Sequence, residues 1–143
     1  MTHAQGRILA IDYGSRRVGL AVSDPMRIIA QGAGTLANGA ALVEEVGRFI
    51  REHGIVLVVI GMPYAPDGGK GAKGKEVEEF IERLRPATSA EITTWDESFS
   101  SVRAHQAFRQ AGMKRKQRQE KHRVDEMAAR LLLQEFLESN EHR

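Results

Sequence analysis

The sequence predicts an α/β fold in which a mixed five-stranded sheet is flanked by helices, in the order β-β-β-α-β-α-β-α-α. Two short apolar runs, residues 7–12 and 18–23, are joined by a compact turn, which predicts an antiparallel hairpin. A later run, residues 55–60, is apolar at every position, as is typical of a central strand with parallel neighbours. The last segment, residues 124–136, repeats apolar residues at helical spacing and predicts a helix that lies on the sheet.

Shorter patterns predict the remaining elements. A third strand is expected over residues 26–36, with Ile28 and Ile29 at its centre. Asn38 is the predicted N-cap of a helix that runs to about His53. Further along the chain, the sequence predicts a long Gly- and Pro-rich loop over residues 61–74, a helix that carries Val77, Phe80, Ile81 and Leu84 and ends at Pro86, a strand over residues 90–95, and a helix from Ser100 or Ser101 to Arg109.

Length and composition limit the class of protein. The 143 residues are interpreted as one domain, residues 1–143, because domains commonly contain about 100–200 residues. The chain contains no cysteine, which excludes a disulfide scaffold, a thiolate zinc site and a cysteine nucleophile. The longest apolar stretch, residues 55–60, is far shorter than the roughly 18 residues of a membrane span. The N-terminus lacks the apolar core of a secretory signal, so we expect a cytoplasmic protein with no membrane partner.

Basic residues are concentrated in one segment, although the net charge of the chain is only +2. Residues 112–123 contain six basic residues and one acid, which predicts either a polyanionic partner such as nucleic acid or a solvated loop. Arg16 and Arg17, in the hairpin turn, are candidates for holding a phosphate backbone, with a solvated turn as the alternative. The candidate nucleic-acid-binding residues of the basic segment are Lys114, Arg115, Lys116, Arg118, Lys121 and Arg123.

Three acidic residues stand at the ends of predicted elements. Asp12 ends the first strand, Glu97 ends the last strand and Asp125 opens the final helix, so all three can lie at the carboxyl edge of the sheet, where open α/β sheets bind ligands. Carboxylates that converge there repel one another unless a cation neutralises them, and oxygen ligands suit Mg²⁺ or Mn²⁺. Each acid alone also has a structural explanation, as a turn former for Asp12 or as a residue favoured by the helix dipole for Asp125. We expect Glu126 to be solvated and Asp96 to point away from the site.

Four segments of the chain resemble the signatures of a known family. They are residues 11–24 (IDYGSRRVGLAVSD), 58–68 (VVIGMPYAPDG), 94–101 (TWDESFSS) and 121–129 (KHRVDEMAA). In this order and spacing they are similar to the YqgF/RuvX family of Holliday-junction-resolvase-like proteins. The resemblance implies an RNase H-like fold, an acidic triad of Asp12, Glu97 and Asp125, and a cytoplasmic role in maturing the 5′ end of 16S ribosomal RNA.

The chain departs from this family at one position. Ser98 follows Glu97, where the family usually carries Arg, and a hydroxyl cannot clamp a phosphate with two parallel hydrogen bonds as a guanidinium can. The carboxylates that the resemblance assigns to the triad are all present. The serine at position 98 therefore changes how the phosphate backbone is expected to be bound, but it leaves the expected metal ligands in place.

The leading hypothesis is a nuclease that uses Mg²⁺ or Mn²⁺, held by Asp12, Glu97 and Asp125, to cleave precursor ribosomal RNA or, alternatively, branched DNA. It would act on free nucleic acid or on a precursor ribosomal particle, as a monomer or a homodimer. A second hypothesis is a nucleotide-binding switch, because Asp12-x-Gly14 resembles the phosphate hairpin of actin-like ATPases. Against it, 143 residues supply no second lobe and the sequence contains no Gly-x-x-x-x-Gly-Lys-Ser/Thr loop. A third hypothesis is a non-catalytic RNA-binding assembly factor on the same fold.

Overall fold

The computed structural model describes residues 6–64, 69–96 and 121–139, and of residues 121–123 it describes only the backbone. Its strands are β1 (Arg7–Tyr13), β2 (Arg17–Ser23), β3 (Ala30–Ala37), β4 (Ile55–Met62) and β5 (Glu91–Asp96). They form one sheet in the order β3-β2-β1-β4-β5. The first three strands make an antiparallel meander, while β4 pairs parallel with β1 and with β5. The predicted mixed five-stranded sheet is therefore confirmed.

Helices cover both faces of this sheet. In the described part of the chain they are α1 (Leu42–Glu52), α2 (Gly71–Leu84), a short 3-10 turn (Arg85–Ala87) and α3 (Lys121–Glu138). The apolar residues of α1 and α2 pack on one face, and those of α3 pack on the other. None of the helices described is both long and apolar enough to cross a lipid bilayer.

The central strand β1 divides the core in two because successive side chains on a strand point to opposite faces. Ile11 and Tyr13 belong to the core under α1 and α2. Ile8 and Ala10 belong to the core under α3. Asp12 continues the second set, so the alternation directs its side chain toward α3.

β4 is buried on both faces over most of its length, as its sequence predicts. Val58, Val59 and Ile60 are fully buried between the parallel neighbours β1 and β5. The prediction is wrong only at the start of the strand, where Val56 is 41% exposed. At that point Gly6, rather than a helix, lies against the Val56 side chain.

β3 begins later than the sequence predicts. Ile28 and Ile29 lie in a turn before β3, 62% and 57% exposed, rather than at the centre of a strand over residues 26–36. The cause is the carboxylate of Asp24, which accepts the backbone N–H groups of Met26, Ile28 and Ile29 at 3.1, 2.7 and 2.7 Å. A side chain that occupies these donors holds the segment in a turn and removes them from a strand ladder.

α1 also begins later, at Leu42 rather than after Asn38. Asn38 is tied to the β1–β2 turn instead, because its side-chain amide donates to the carbonyl of Gly14 at 2.7 Å and its backbone N–H donates to the carbonyl of Arg16 at 2.9 Å. The predicted cap therefore anchors the hairpin turn. The helix starts one turn further along and ends at Glu52, one residue before the predicted end.

The predicted loop over residues 61–74 is shorter in the structure. β4 extends into it as far as Met62, and α2 already begins at Gly71. Gly74 lies within α2 and is buried. A Cβ at Gly74 would be 2.6 Å from the Cβ of Lys70, so this glycine permits close packing at the start of the helix. The predicted core residues of α2 and its predicted end are confirmed.

α3 is confirmed as a helix that lies on the sheet, but its buried side differs from the prediction. Beyond the expected Ala128, Leu132 and Phe136, it also buries Ala129, Leu133 and Leu137, while Val124, Met127 and Leu131 are only half-buried. The helix begins at Lys121, so the backbone of Lys121 and Arg123 is helical rather than part of the predicted basic loop. The helix predicted from Ser100 or Ser101 to Arg109 lies outside the described residues.

Candidate functional site

Asp12 and Asp125 come together on the face of the sheet that α3 covers. Asp12 pairs across the β1–β2 hairpin with Gly19. The backbone of α3 lies directly on this pair, because a Cβ added to Gly19 would be 2.1 Å from the carbonyl oxygen of Asp125. The two carboxyl groups, remote in the sequence, are close enough that the charge of Asp12 acts on Asp125.

Small residues make this close approach sterically acceptable. The sheet presents only a hydrogen atom at Gly19 and at Gly32, and α3 lies against both positions. The neighbouring residues that join the core under α3 are also small, namely Ala10, Ala21 and Ala30 from the strands and Ala129 from the helix. Because no large side chain separates the two layers here, the helix can place Asp125 beside the strand that carries Asp12.

Burial and the charge of Asp12 act on the pKa of Asp125 in one direction, and two nearby cations act in the other. Its carboxyl group is half-buried and lies near the charge of Asp12, and both effects raise its pKa above the usual value of 3.8. The positive charges of Arg17 and Lys73 lower the pKa but do not cancel the rise. The raised pKa therefore reflects chiefly that the Asp125 carboxyl group is partly removed from water, with the nearby charge of Asp12 adding to the effect.

Arg17, the first residue of β2, lies beside Asp125. Its Nε is 3.5 Å from Oδ2 of Asp125, which is within ion-pair distance but too long for a good hydrogen bond. Among the residues described, no group accepts a hydrogen bond from this buried Nε. This Nε is thus a buried, unsatisfied donor next to Asp125, while the Arg17 side chain as a whole remains 34% exposed and adds positive charge to the site.

The structure brings together three of the residues that the sequence predicts for the site, namely Asp12, Asp125 and Arg17. Arg16 is exposed in the hairpin turn. β5 ends at Asp96, directly before Glu97, which lies outside the described residues. Also outside them are Lys114, Arg115, Lys116 and Arg118, and the side chains of Lys121 and Arg123.

Lys73 adds positive charge near the site, which the sequence pattern does not predict. The pattern assigns it to a loop, but it is exposed in the first turn of α2, and its charge acts on Asp125. The apolar spacing of α2, extended backward from Val77 to Gly74, is the signal that would have placed Lys73 on the helix.

Glu126 contradicts the expectation of a solvated side chain. It is half-buried, and its Oε2 accepts the backbone N–H of Gly34 at 2.6 Å. The two residues are 92 positions apart in the chain, so no local pattern around Glu126 could predict the contact. The physical reason is that α3 lies across β3, which brings the edge strand within reach of this side chain.

The chemistry of the acid pair suits a divalent cation. Within residues 6–64, 69–96 and 121–139, no group of three or more His, Cys, Asp or Glu side chains is arranged to hold a metal ion. The described donors at the site are therefore the carboxylates of Asp12 and Asp125. Carboxylate oxygens are the donors that Mg²⁺ and Mn²⁺ prefer.

Asp125→Asn is expected to increase the thermal stability of the metal-free protein at pH 7. A carboxyl group whose pKa is raised by folding destabilises the folded state once it is ionised, so this cost is fully present above the raised pKa. The cost decreases as the pH falls toward 3.8 and is absent below that value. Melting temperatures of the two proteins in EDTA should therefore differ at pH 7 and converge under acid conditions. A variant less stable than the parent at pH 7 would contradict the raised pKa.

Solved structures of Holliday junction resolvases share this arrangement of strands and helices. RuvC of T. thermophilus, in complex with a Holliday junction substrate, aligns with a TM-score of 0.56 over 90% of this chain and 92% of that chain, at 13% identity. The Fowlpox virus resolvase, in complex with Holliday junction DNA, aligns with a TM-score of 0.57 over 92% of this chain and 97% of that chain, also at 13% identity. The fold is therefore the RNase H-like fold of the RuvC-type resolvases.

Sequence relatives identify the family within this class. The family model "RuvX: Holliday junction resolvase" matches residues 6–139. A "Putative pre-16S rRNA nuclease" of Parabacteroides distasonis is 38% identical over 138 residues, which cover 96% of this chain and 98% of that protein. A protein of the same name from Chlorobium luteolum is 40% identical over 137 residues, covering 95% and 96%. The chain belongs to the RuvX family, as the four sequence signatures imply.

Proposed function

We propose that this protein is a divalent-metal-dependent nuclease that cleaves precursor 16S ribosomal RNA near its 5′ end, in the cytoplasm and as one domain over residues 1–143. The observation that carries the proposal is the pair of carboxylates, Asp12 and Asp125, which the close approach of α3 to Gly19 brings together on one face of the sheet. The choice of substrate rests on the relatives, which are named for pre-16S rRNA.

In this proposal Asp12 and Asp125 hold Mg²⁺ or Mn²⁺, and Glu97 is the third ligand. When bound, such a cation lowers the pKa of water and offsets the charge on a phosphodiester as it is cleaved. Support for Glu97 comes from its place in the sequence, directly after the described end of β5. Trp95, two residues earlier, packs edge-to-face on Phe136 at 5.4 Å, which ties the end of β5 to the helix that carries Asp125.

Cations around the acid pair are proposed to hold the phosphate backbone. Arg17 pairs with Asp125, and its partly exposed side chain places positive charge beside a phosphate that enters the site. Lys73 adds positive charge from the first turn of α2, and Arg16 adds it from the exposed hairpin turn. Sequence-independent, salt-sensitive affinity is assigned to Lys114, Arg115, Lys116, Arg118, Lys121 and Arg123. The partner is precursor RNA, free or in a ribosomal particle, and the enzyme acts as a monomer or a homodimer.

A four-way DNA junction is the second candidate substrate. The specific observation in its favour is the likeness of the fold to two resolvases solved with Holliday junctions. The same acid pair would serve either substrate, because the cleaved bond is a phosphodiester in both. The choice between RNA and junction DNA therefore depends on the surfaces around the site rather than on the acids.

A cleavage assay with both substrates tests the proposal. The protein is offered end-labelled 16S precursor RNA and a labelled four-way junction, each with Mg²⁺, Mn²⁺ or EDTA. We expect cleavage of the RNA with either cation, slower cleavage of the junction, and none in EDTA. Faster cleavage of the junction would support the second candidate, and binding of RNA without cleavage under any condition would make the protein a non-catalytic binding factor.

A further inference from the structure

Glu126, the neighbour of Asp125 on α3, extends its side chain to β3, the edge strand of the sheet. Its Oε2 accepts the N–H of Gly34 at 2.6 Å. Its carboxyl carbon lies over Gly32, where an added Cβ would be only 2.8 Å away. Gly34 has a φ of +88°, a conformation that residues with a side chain rarely adopt. The glycines of the edge strand β3 thus provide both the donor and the space for the Glu126 carboxylate.

The contact holds a part of α3 that the apolar core does not hold well. The fully buried residues of α3 begin at Ala128 and continue toward its end. The turn before them, which includes Asp125, is only half-buried. In the described part of the chain, that turn is held to the sheet by the close backbone approach at Gly19, by the Arg17–Asp125 ion pair and by the bond from Gly34 to Glu126.

We propose that Glu126 is a positioning residue, which fixes Asp125 relative to Asp12 and thereby sets the affinity of the acid pair for a divalent cation. This inference rests on the proposed nuclease function. Glu126 acts through the backbone of α3 and contacts neither substrate nor cation, because its carboxylate is bound to β3. Loss of such a supporting partner typically weakens metal binding or activity by about 10–100-fold.

Two substitutions of Glu126 separate positioning from bulk stability. Glu126→Gln keeps a carbonyl oxygen that can accept the N–H of Gly34, whereas Glu126→Ala removes the acceptor. We expect E126A to weaken Mn²⁺ binding, measured by calorimetry, by about 10-fold or more and to lower kcat similarly. KM for nucleic acid should stay unchanged. E126Q should remain within about twofold of the parent in both measurements, since the bond is retained.

Gly32→Ala provides an independent test, because its new Cβ would displace the Glu126 carboxylate. G32A should weaken Mn²⁺ binding in the parent but have little further effect in E126A, so the two changes should be non-additive. If E126A fails to fold, weak Mn²⁺ binding by G32A with normal binding by E126Q still supports the inference.

The outcomes distinguish this inference from the proposed function. An E126A protein that melts earlier but binds Mn²⁺ and cleaves like an active parent would overturn the inference and leave the nuclease proposal intact. Additive effects of E126A and G32A on Mn²⁺ binding would also overturn it. A parent that neither binds Mn²⁺ nor cleaves would overturn the proposed function, and the inference with it.

Discussion

Asp12→Asn is expected to reduce metal-dependent cleavage by about three orders of magnitude, equivalent to about 4 kcal/mol of activation free energy. Asn keeps the size of the side chain but removes the negative charge that faces Asp125. The described pair then retains a single carboxylate, so its attraction for a divalent cation falls sharply. Because Asp12 is half-buried near the end of β1 and outside both apolar clusters, the fold and RNA affinity should persist. Single-turnover cleavage and RNA-binding titrations measure the two effects separately.

Asp96→Asn is the matched control for this substitution. Asp96 is an exposed acid at the end of β5, at the same edge of the sheet, and the sequence places it outside the site. The D96N protein should cleave at the parent's rate under identical conditions. If D12N cleaves as fast as the parent, or if D96N loses as much activity as D12N, the acid pair is not the catalytic centre.

Gly19→Ala is expected to lower cleavage about 100-fold and to reduce the free energy of unfolding by about 1–3 kcal/mol. The new Cβ would be 2.1 Å from the carbonyl oxygen of Asp125 and 2.4 Å from its carbonyl carbon. No side-chain rotation can relieve a contact with backbone, so α3 must move away from β2. Asp125 then moves away from Asp12, and geometry that catalysis requires is lost. Denaturant unfolding and single-turnover rates measure the two losses.

Gly39→Ala controls for the general effect of replacing a glycine. Among the described residues, no atom lies within 4 Å of a Cβ built at Gly39, and the residue lies before α1. The G39A protein should match the parent in both stability and cleavage. Parent-like cleavage by G19A would show that the close approach of α3 to β2 is not what brings the two acids together.

The sheet and the orientation of Asp12 were predictable because their causes are local. The unbroken apolar run of residues 55–60 predicts a strand that is buried on both faces, and β4 is buried on both faces over most of its length. Because successive side chains of β1 point to opposite faces of the sheet, Ile11 and Ala10 lie on different faces, and Asp12 lies on the same face as Ala10. The placement of Asp125 near Asp12 follows once the last helix is laid on that face.

The errors arose where a polar side chain forms a bond that apolar patterning does not encode. Ile28 and Ile29 read as the centre of a strand, but the Asp24 carboxylate holds their N–H groups in a turn. Asn38 reads as a helix cap, but its partner is Gly14 in the hairpin turn. The Asn38 contact depends on elements brought together by folding, whereas the Asp24 bonds are local but are made by a side chain that apolar spacing does not describe.

The packing role of the glycines was the second feature that the sequence did not reveal. Gly19 and Gly32 lie within strands, as predicted, but the sequence does not show that their lack of a side chain admits α3. Gly74 was predicted in a loop and packs inside α2. Whether a glycine provides a turn or a close contact depends on what lies opposite, which the sequence does not state.

Anomalous diffraction from crystals grown with MnCl₂ tests the central claim most directly. The account predicts a manganese peak within ligand distance, about 2–2.3 Å, of carboxylate oxygens of both Asp12 and Asp125. It also predicts loss of that peak in crystals of the D12N protein. Crystals of protein that cleaves RNA in the same MnCl₂ solution, but that show no manganese at either carboxylate, would contradict it.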